Sequence, residues 1–230
     1  SSLSPAADID PVRAMFNRAW LHESIHMVLA AFEAVGFAVA GIHAWLLLRG
    51  RNLDLNRRAL HIALSVGSVA ALLQPLSGDF AAKRVATLQP QKLAAMEALF
   101  LTQARAPLAI GGLPDPQTET LRGAIEIPGA LSFLAFGRFD ATVRGLRDFP
   151  RDTWSPVVPT HIAFQIMVGC GMLLAGVALL FGFYALRRRA LPRPLLWIIA
   201  LCTPLGFVAL EAGWVVTEVG RQPWIIYGLL

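Results

Sequence analysis

The segment 22–26 reads HESIH, which places two imidazoles and a carboxylate close together in the chain. If the segment is helical, His22 and His26 lie four residues apart on one face, where they can bind a zinc ion while Glu23 acts as a general base. Such a site needs a third protein ligand. The other long apolar runs contain no aspartate to supply it. A zinc metalloprotease that works inside a membrane is therefore the alternative hypothesis.

A haem offers a different use for His26, because an imidazole and a thioether together fill both axial positions of the iron. Met167 lies at a similar depth in its own apolar run, and Glu218 stands at the end of the last run. Taken singly, a methionine in an apolar helix usually fills space, and a histidine often satisfies a backbone group. The three side chains are nevertheless predicted to meet at one level, as candidate metal or haem ligands.

A stripe of charged and aromatic residues ends the last apolar run at helical spacing: Glu211, Trp214, Glu218 and Arg221. Two interpretations stay open. In the first, the stripe is a buried ion-pair network with an anchor at the membrane interface. In the second, it supplies a carboxylate ligand, an aromatic ring between redox centres, and an arginine that neutralises haem propionates.

Lys92 and Glu97 lie in a helix-like stretch after Pro90, at positions i and i+5. That spacing differs from the i,i+4 spacing of the usual surface ion pair. The commoner explanation is two solvated charges. The functional alternative is a quinol site, since oxidation of a quinol releases two protons and requires a base near its hydroxyl groups. Glu97 would be that base.

The composition assigns these residues to a membrane protein. Hydrophobic residues make up 56% of the 230 positions and charged residues only 15%, with a mean hydropathy of +0.57. Four apolar runs, at 20–48, 59–77, 157–186 and 194–217, are each long enough to cross a bilayer as a helix. We therefore predict an all-α integral membrane fold, a four-transmembrane-helix bundle with a long external loop.

Arginine clusters indicate how these four spans are oriented. They occupy the short connections between spans one and two and between spans three and four, which the positive-inside rule assigns to the cytoplasm. The net charge of +5 is thus a topology signal, and no nucleic-acid partner is expected. The chain then divides into an external lead-in (1–19), spans one and two (20–77), an external loop (78–156), spans three and four (157–217) and an external end (218–230).

Four longer motifs follow one another along the chain: HMVLAAFEAVGFAVAGIHAW at 26–45, KLAAME at 92–97, HIAFQIMVG at 161–169 and GRQPW at 220–224. Together they resemble subunit I of the cytochrome bd-type quinol oxidases. The resemblance covers essentially the whole chain but only the later half of the family's subunit. It implies a multi-pass protein of the bacterial cytoplasmic (inner) membrane, whose external loop is the quinol-binding Q loop on the periplasmic side.

The resemblance implies a role for each candidate residue. His26 and Met167 match the axial ligands of a low-spin haem b, and Glu218 matches the ligand of a high-spin haem b. Lys92 and Glu97 match the quinol-site residues of the Q loop.

Three further residues match positions close to the haems: Trp214, Arg221 and Gln165. Many members of the family carry arginine two positions before the ligand methionine, where this chain has Gln165. An amide therefore stands here in place of the guanidinium of those members.

The resemblance also implies an activity, cofactors and partners. Quinol is oxidised at the outer face, and its electrons pass through low-spin haem b to a high-spin haem b and haem d that reduce oxygen. The histidine ligand of haem d belongs to N-terminal helices of subunit I that precede this region, so this chain alone is not expected to reduce oxygen. The expected partners are membrane lipid, those helices, subunit II and a small accessory subunit.

Overall fold

Four helices that are long and apolar enough to cross a membrane carry most of the fold. The computed structural model describes residues 20–224 together with Asp10, Val12 and Phe16. Within the part described, the helices are α1 (Trp20–Leu48), α2 (Leu53–Leu88), α3 (Pro90–Met96), α4 (Ala130–Phe136), α5 (Val157–Leu186), α6 (Arg193–Leu201) and α7 (Leu205–Glu218). The predicted four-span membrane fold is confirmed. The predicted lead-in (1–19) lies almost wholly outside the described residues, as do residues 225–230 of the predicted external end.

Spans one and three have the predicted bounds, whereas α2 continues past residue 77 to Leu88. An ion pair between Lys83 and Asp79, one turn apart and separated by 2.5 Å, supports this extension. The helix ends at Leu88, and the next residue, Gln89, has non-helical backbone because the ring of Pro90 disfavours helical backbone in the residue that precedes it. The first part of the predicted external loop is therefore a helical extension of span two.

The fourth span is divided into α6 and α7. Pro204 accounts for the division, since a proline has no N–H to donate to the carbonyl oxygen four residues earlier. That oxygen, on Ala200, accepts a hydrogen bond from Thr203 Oγ1 at 2.6 Å instead. Helix α7 is therefore a separate helix that ends at Glu218.

The external loop contains short strands that the all-α prediction did not include. They are β1 (Gln103–Ala104), β2 (Leu108–Ile110), β3 (Leu113–Asp115), β4 (Thr120–Arg122), β5 (Ile125–Ile127) and β6 (Thr142–Val143). They pair antiparallel as β3–β4, β2–β5 and β1–β6. The three pairs are nested, because each pair lies along the chain between the two strands of the next. Two 3₁₀ turns, Leu146–Asp148 and Arg151–Thr153, then lead into α5. The loop is a folded lobe with its own buried cluster, which includes Leu93 and Leu131.

Small residues allow the spanning helices to approach closely. A Cβ added to Gly36 of α1 would lie 2.6 Å from the Cα of Gly67 in α2, so the two backbones touch there. A Cβ added to Gly206 of α7 would lie 2.5 Å from the Cα of Ala34 in α1. Helix α1, which carries His26, is thus positioned by both α2 and α7.

We expect Gly36→Ala to destabilise this helix packing, because the added methyl group meets the backbone of Gly67, which no rotamer change can move. Overpacking of a tight site costs about 1–3 kcal/mol. Gly176→Ala on α5 is the matched control, since a Cβ there meets open space. Thermal unfolding in detergent, followed by circular dichroism, compares the two variants. Equal unfolding temperatures would contradict the prediction.

Candidate functional site

The imidazole of His26 is held by α2. Its Nδ1 lies 3.1 Å from Ser77 Oγ, and its Nε2 lies 3.2 Å from Gln74 Nε2. The same amide nitrogen donates to the carbonyl oxygen of His26 at 3.3 Å, so it faces the ring as a donor. Nε2 therefore accepts, and the ring proton stays on Nδ1 and is donated to Ser77. An iron ligand needs this tautomer, with a lone pair on Nε2 and an anchored Nδ1–H.

An apolar cleft of about 540 Å³ opens between α1 and α2 next to Ser77, the hydrogen-bond partner of His26, although His26 itself does not line it. Leu29, Leu73 and His22 contribute to its wall. His22 Nδ1 and Gln74 Oε1 are buried without a hydrogen-bond partner among the described residues. An apolar cleft with a few convergent polar atoms is typical of a ligand site. Gln74 and Ser77 were not among the predicted site residues, although a glutamine within an apolar run was a visible signal.

Met167 lies against α7. Its Sδ is 3.2 Å from the position that a Cβ on Gly213 would occupy, so the thioether rests on bare helix backbone. The side chain also packs on a buried cluster that includes Met96 of α3 and Ala212 of α7. His26 and Met167 are therefore supported by different helices at the end of the bundle nearest the external loop.

Lys92 reaches the end of α7. Its Cε is 3.3 Å from the position of a Cβ on Gly220, so this glycine makes room for the lysine stem. Burial lowers the pKa of Lys92, the charges of Glu23 and Glu218 raise it, and that of Arg221 lowers it. Glu218 and Arg221 form an ion pair, with both side chains about half exposed. Three predicted site residues, Lys92, Glu218 and Arg221, are thus brought together.

Glu97 has a different environment. It directly follows α3 and is only 5% exposed. Its Oε2 has no hydrogen-bond partner within the described part of the chain. Burial raises the pKa of Glu97 to about 8, so the neutral carboxyl predominates at pH 7. The explanation of two solvated charges is wrong for Glu97, which is buried.

Two side chains of α5 hold the external loop in place. Gln165 Nε2 donates to Ala109 O at 3.0 Å, and Gln165 Oε1 accepts from the backbone N–H of Gly111 at 3.0 Å. His161, fully buried one turn earlier, has Nδ1 2.8 Å from Met96 O and Nε2 3.2 Å from Gly111 O. Gln165, predicted to lie near the haems, thus has its amide bonded to the loop backbone. His161 was missed as a site residue, although its i,i+4 spacing to Gln165 indicated a shared face.

The stripe on α7 faces away from the other described helices. Glu211 and Glu218 are exposed, and Trp214 is 45% exposed. The first interpretation of the stripe, a buried ion-pair network, is not seen among the described residues, where the Glu218–Arg221 pair is only half buried. Carboxylates on a spanning helix are costly in lipid, so this face requires a polar or proteinaceous cover.

The described residues do not supply the third protein ligand that the zinc hypothesis requires. His22 and His26 lie in α1 at the predicted spacing. Across residues 20–224, no group of three or more histidine, cysteine, aspartate or glutamate side chains is arranged to hold a metal ion. The HESIH segment therefore lacks the protein ligands of a closed or catalytic zinc site.

Comparison with known proteins gives related results from sequence and from structure. The sequence model of the family described as cytochrome bd terminal oxidase subunit I matches residues 3–230. The putative cytochrome bd menaquinol oxidase subunit I of Bacillus subtilis (strain 168) is 42% identical over 229 residues, which are 97% of this chain and 52% of that protein. The cytochrome bd ubiquinol oxidase subunit 1 of the same organism is 32% identical over 219 residues, covering 89% of this chain and 46% of the relative.

A solved structure has the same fold. The bd oxidase from Geobacillus thermodenitrificans superposes with a TM-score of 0.85 at 36% identity, over 96% of this chain and 51% of that chain. The chain spans about half the length of the curated relatives it matches. With the family match over nearly all of its residues, the chain belongs to the cytochrome bd terminal oxidase subunit I family.

Proposed function

We propose that this chain supplies the quinol-oxidising, electron-entry part of a bd-type quinol:oxygen oxidoreductase in a bacterial membrane. The observation that carries the proposal is the position of Glu97, a buried carboxyl group without a partner among the described residues. Its neighbour Met96 is bonded to His161 through the backbone and packs in the cluster that supports Met167. A proton acceptor and a candidate iron ligand are therefore linked through one residue. The names of the relatives, menaquinol and ubiquinol oxidases, agree with a quinol substrate.

Glu97 is proposed to take a proton from a quinol hydroxyl. Conversion of a quinol to a quinone releases two protons and two electrons, so a base at the hydroxyl group lowers the barrier. Because burial raises the pKa of Glu97 to about 8, roughly one molecule in ten carries the carboxylate at pH 7, and this fraction grows with pH. A base of this strength can take the proton and release it again near neutral pH.

Lys92 is the second proposed quinol-site residue, and its proposed role is electrostatic. The Lys92 ammonium is directed towards the end of α7, where the charges of Glu23 and Glu218 act on it. A partly buried ammonium near two carboxylates offsets part of their charge and retains N–H groups that can donate to a head-group oxygen. The proposed quinol site therefore has a cation, Lys92, within α3 and a base, Glu97, directly after it.

His26 and Met167 are proposed to hold a low-spin haem b. The residues fit the group: His26 is anchored through Nδ1 on Ser77, and its Nε2 carries the lone pair that iron would take in place of the Gln74 N–H. An apolar cleft opens next to Ser77, and His22 Nδ1 in its wall is buried without a hydrogen-bond partner among the described residues. A bound haem b would accept and pass on single electrons, with a potential raised by the thioether ligand. The work of the protein is to fix the imidazole through Ser77 and to seat the thioether on Gly213.

Glu218 is proposed as the ligand of a high-spin haem b, with Trp214 and Arg221 beside it. Their exposure on α7 supports a site that this chain builds only in part. The remainder of subunit I and subunit II are the proposed partners that complete it and contribute haem d. The external loop is proposed to face the periplasm, because the arginine-rich connections lie at the opposite ends of the spans. Gln165 is proposed to act near the low-spin haem through the loop that it holds.

We expect Met167→Leu to abolish the low-spin haem b signal in the reduced-minus-oxidised absorption spectrum of the assembled oxidase, because leucine has no lone pair to donate to iron. Met172→Leu is the matched control, since Met172 lies on the same helix and is 59% exposed. The control should keep the wild-type spectrum. A low-spin signal that survives in Met167→Leu would remove this residue from the proposed ligand set.

For Glu97→Gln we expect kcat with quinol to fall about 100-fold, as for the loss of a general base. In the wild type, the rate should rise with pH through about 8, because the carboxylate form is the base and its fraction grows as the pH passes the pKa. The variant should lose this rise. Oxygen consumption measured against pH tests both points. Turnover with an artificial one-electron donor, which has no proton to lose, is the control and should not change.

A further inference from the structure

A second cavity, of about 150 Å³, lies beside Glu97 inside the external loop. Three carboxylates, those of Glu97, Glu119 and Glu126, contribute to its wall together with apolar residues. This volume accommodates a few water molecules. It is smaller than the roughly 300–1,000 Å³ of a typical small-molecule pocket. The cavity is therefore suited to water rather than to a quinol head group.

Glu97 is the most buried of these three acidic residues. Its side chain is shielded from bulk solvent, and its Oε2 has no hydrogen-bond partner among the described residues. A buried polar atom of this kind normally finds a partner, in many cases an internal water molecule. Water in the cavity would supply the missing hydrogen bond and connect this carboxyl group to the other acidic residues that line the cavity.

Glu126 is the most exposed of the three. It stands in β5 directly opposite Ala109 of β2, and both residues line the cavity. Paired residues of two antiparallel strands project to the same face, which explains why the Glu126 carboxylate is at the cavity. Glu126 is exposed, whereas the side chain of Glu119 is only 15% exposed. The three carboxylates thus range from buried to exposed along one cavity.

Glu119 is fixed by two cations. Arg147 and Arg151 both form ion pairs with its carboxylate, the latter at 3.4 Å. These pairs join the turn between β3 and β4 to the two 3₁₀ turns that precede α5. They hold the wall of the cavity in place and offset part of its negative charge.

We propose that this cavity is the outward exit route for the protons that Glu97 takes from quinol, with Glu126 as the last acceptor before bulk water. The inference rests on the quinol oxidation proposed above. In each transfer, the O–H bond of Glu97 breaks, a proton moves through cavity water, and an O–H bond forms on Glu126, which then releases the proton to solvent. Glu97 returns to the carboxylate for the next proton. Each quinol releases two protons by this route, while its two electrons leave on the membrane side towards the proposed haem. Glu119 is a positioning residue of the route.

The test compares Glu126→Gln, Glu119→Gln and Glu126→Asp in the assembled oxidase with a water-soluble quinol. Glu126 forms no ion pair in the described structure, so Glu126→Gln is the variant least disturbing to the fold. We expect its kcat to fall on the order of tenfold with KM unchanged and with a larger solvent deuterium isotope effect. Glu126→Asp should restore most of the rate. Asp140→Asn is the matched control, because Asp140 is an exposed carboxylate of the same lobe, paired with Arg138 outside the cavity.

The choice of electron donor distinguishes a defect in proton exit from general damage to the enzyme. With an artificial one-electron donor that releases no proton, all variants should turn over like the wild type. Wild-type kcat with quinol in both Glu126→Gln and Glu119→Gln would overturn the inference. A raised KM with unchanged kcat would also overturn it, and would assign the cavity to substrate binding. Wild-type oxidase that fails to oxidise any quinol would overturn the proposed function and this inference with it.

Discussion

A loop that rests on a membrane bundle has to satisfy its backbone polar groups where bulk water does not reach. Helix α5 does this with His161 and Gln165, whose side chains bond to the loop backbone at residues 96, 109 and 111. Glu97 directly follows the first of these contacts, so its place in the lobe depends on a histidine far away in the chain. The charged and redox chemistry proposed for this end of the bundle requires that attachment, since an unsatisfied loop backbone would not remain seated on the spans.

The same end of the bundle is incomplete on one side. Helix α7 exposes Glu211, Trp214 and Glu218 although it is part of a span. Such a face is stable in a membrane only when protein, a cofactor or a water-filled space covers it. The chain matches about half the length of its relatives, and the proposed partners, the remainder of subunit I and subunit II, would cover the exposed face. The close packing of α1 on both α2 and α7 leaves this face free for that purpose.

Lys92 and Glu97 lie close together along the chain but in different electrostatic environments. Both flank α3, but Lys92 extends towards Gly220 and the charges at the end of α7, whereas Glu97 is enclosed by the lobe. Burial and Arg221 lower the pKa of Lys92 although the carboxylates of Glu23 and Glu218 oppose this, whereas an enclosed carboxyl without a cation prefers its proton. A partly buried amine and a proton carrier thus lie less than two turns of helix apart.

Local properties of the amino-acid sequence were enough to predict the number of spans, their order and the orientation signals, because apolar length and arginine clusters need no knowledge of the fold. They also singled out His26, Met167 and Glu97 as residue types suited to the proposed chemistry. The break at Pro204 and the extension of α2 have local causes that the sequence shows, whereas the nested strands depend on contacts between distant residues that no periodicity reports. The attachment of the loop through His161 and Gln165 joins residues at least 50 positions apart. Only the folded chain brings such residues together, because hydrogen bonding and burial depend on distance in space and not on spacing along the sequence.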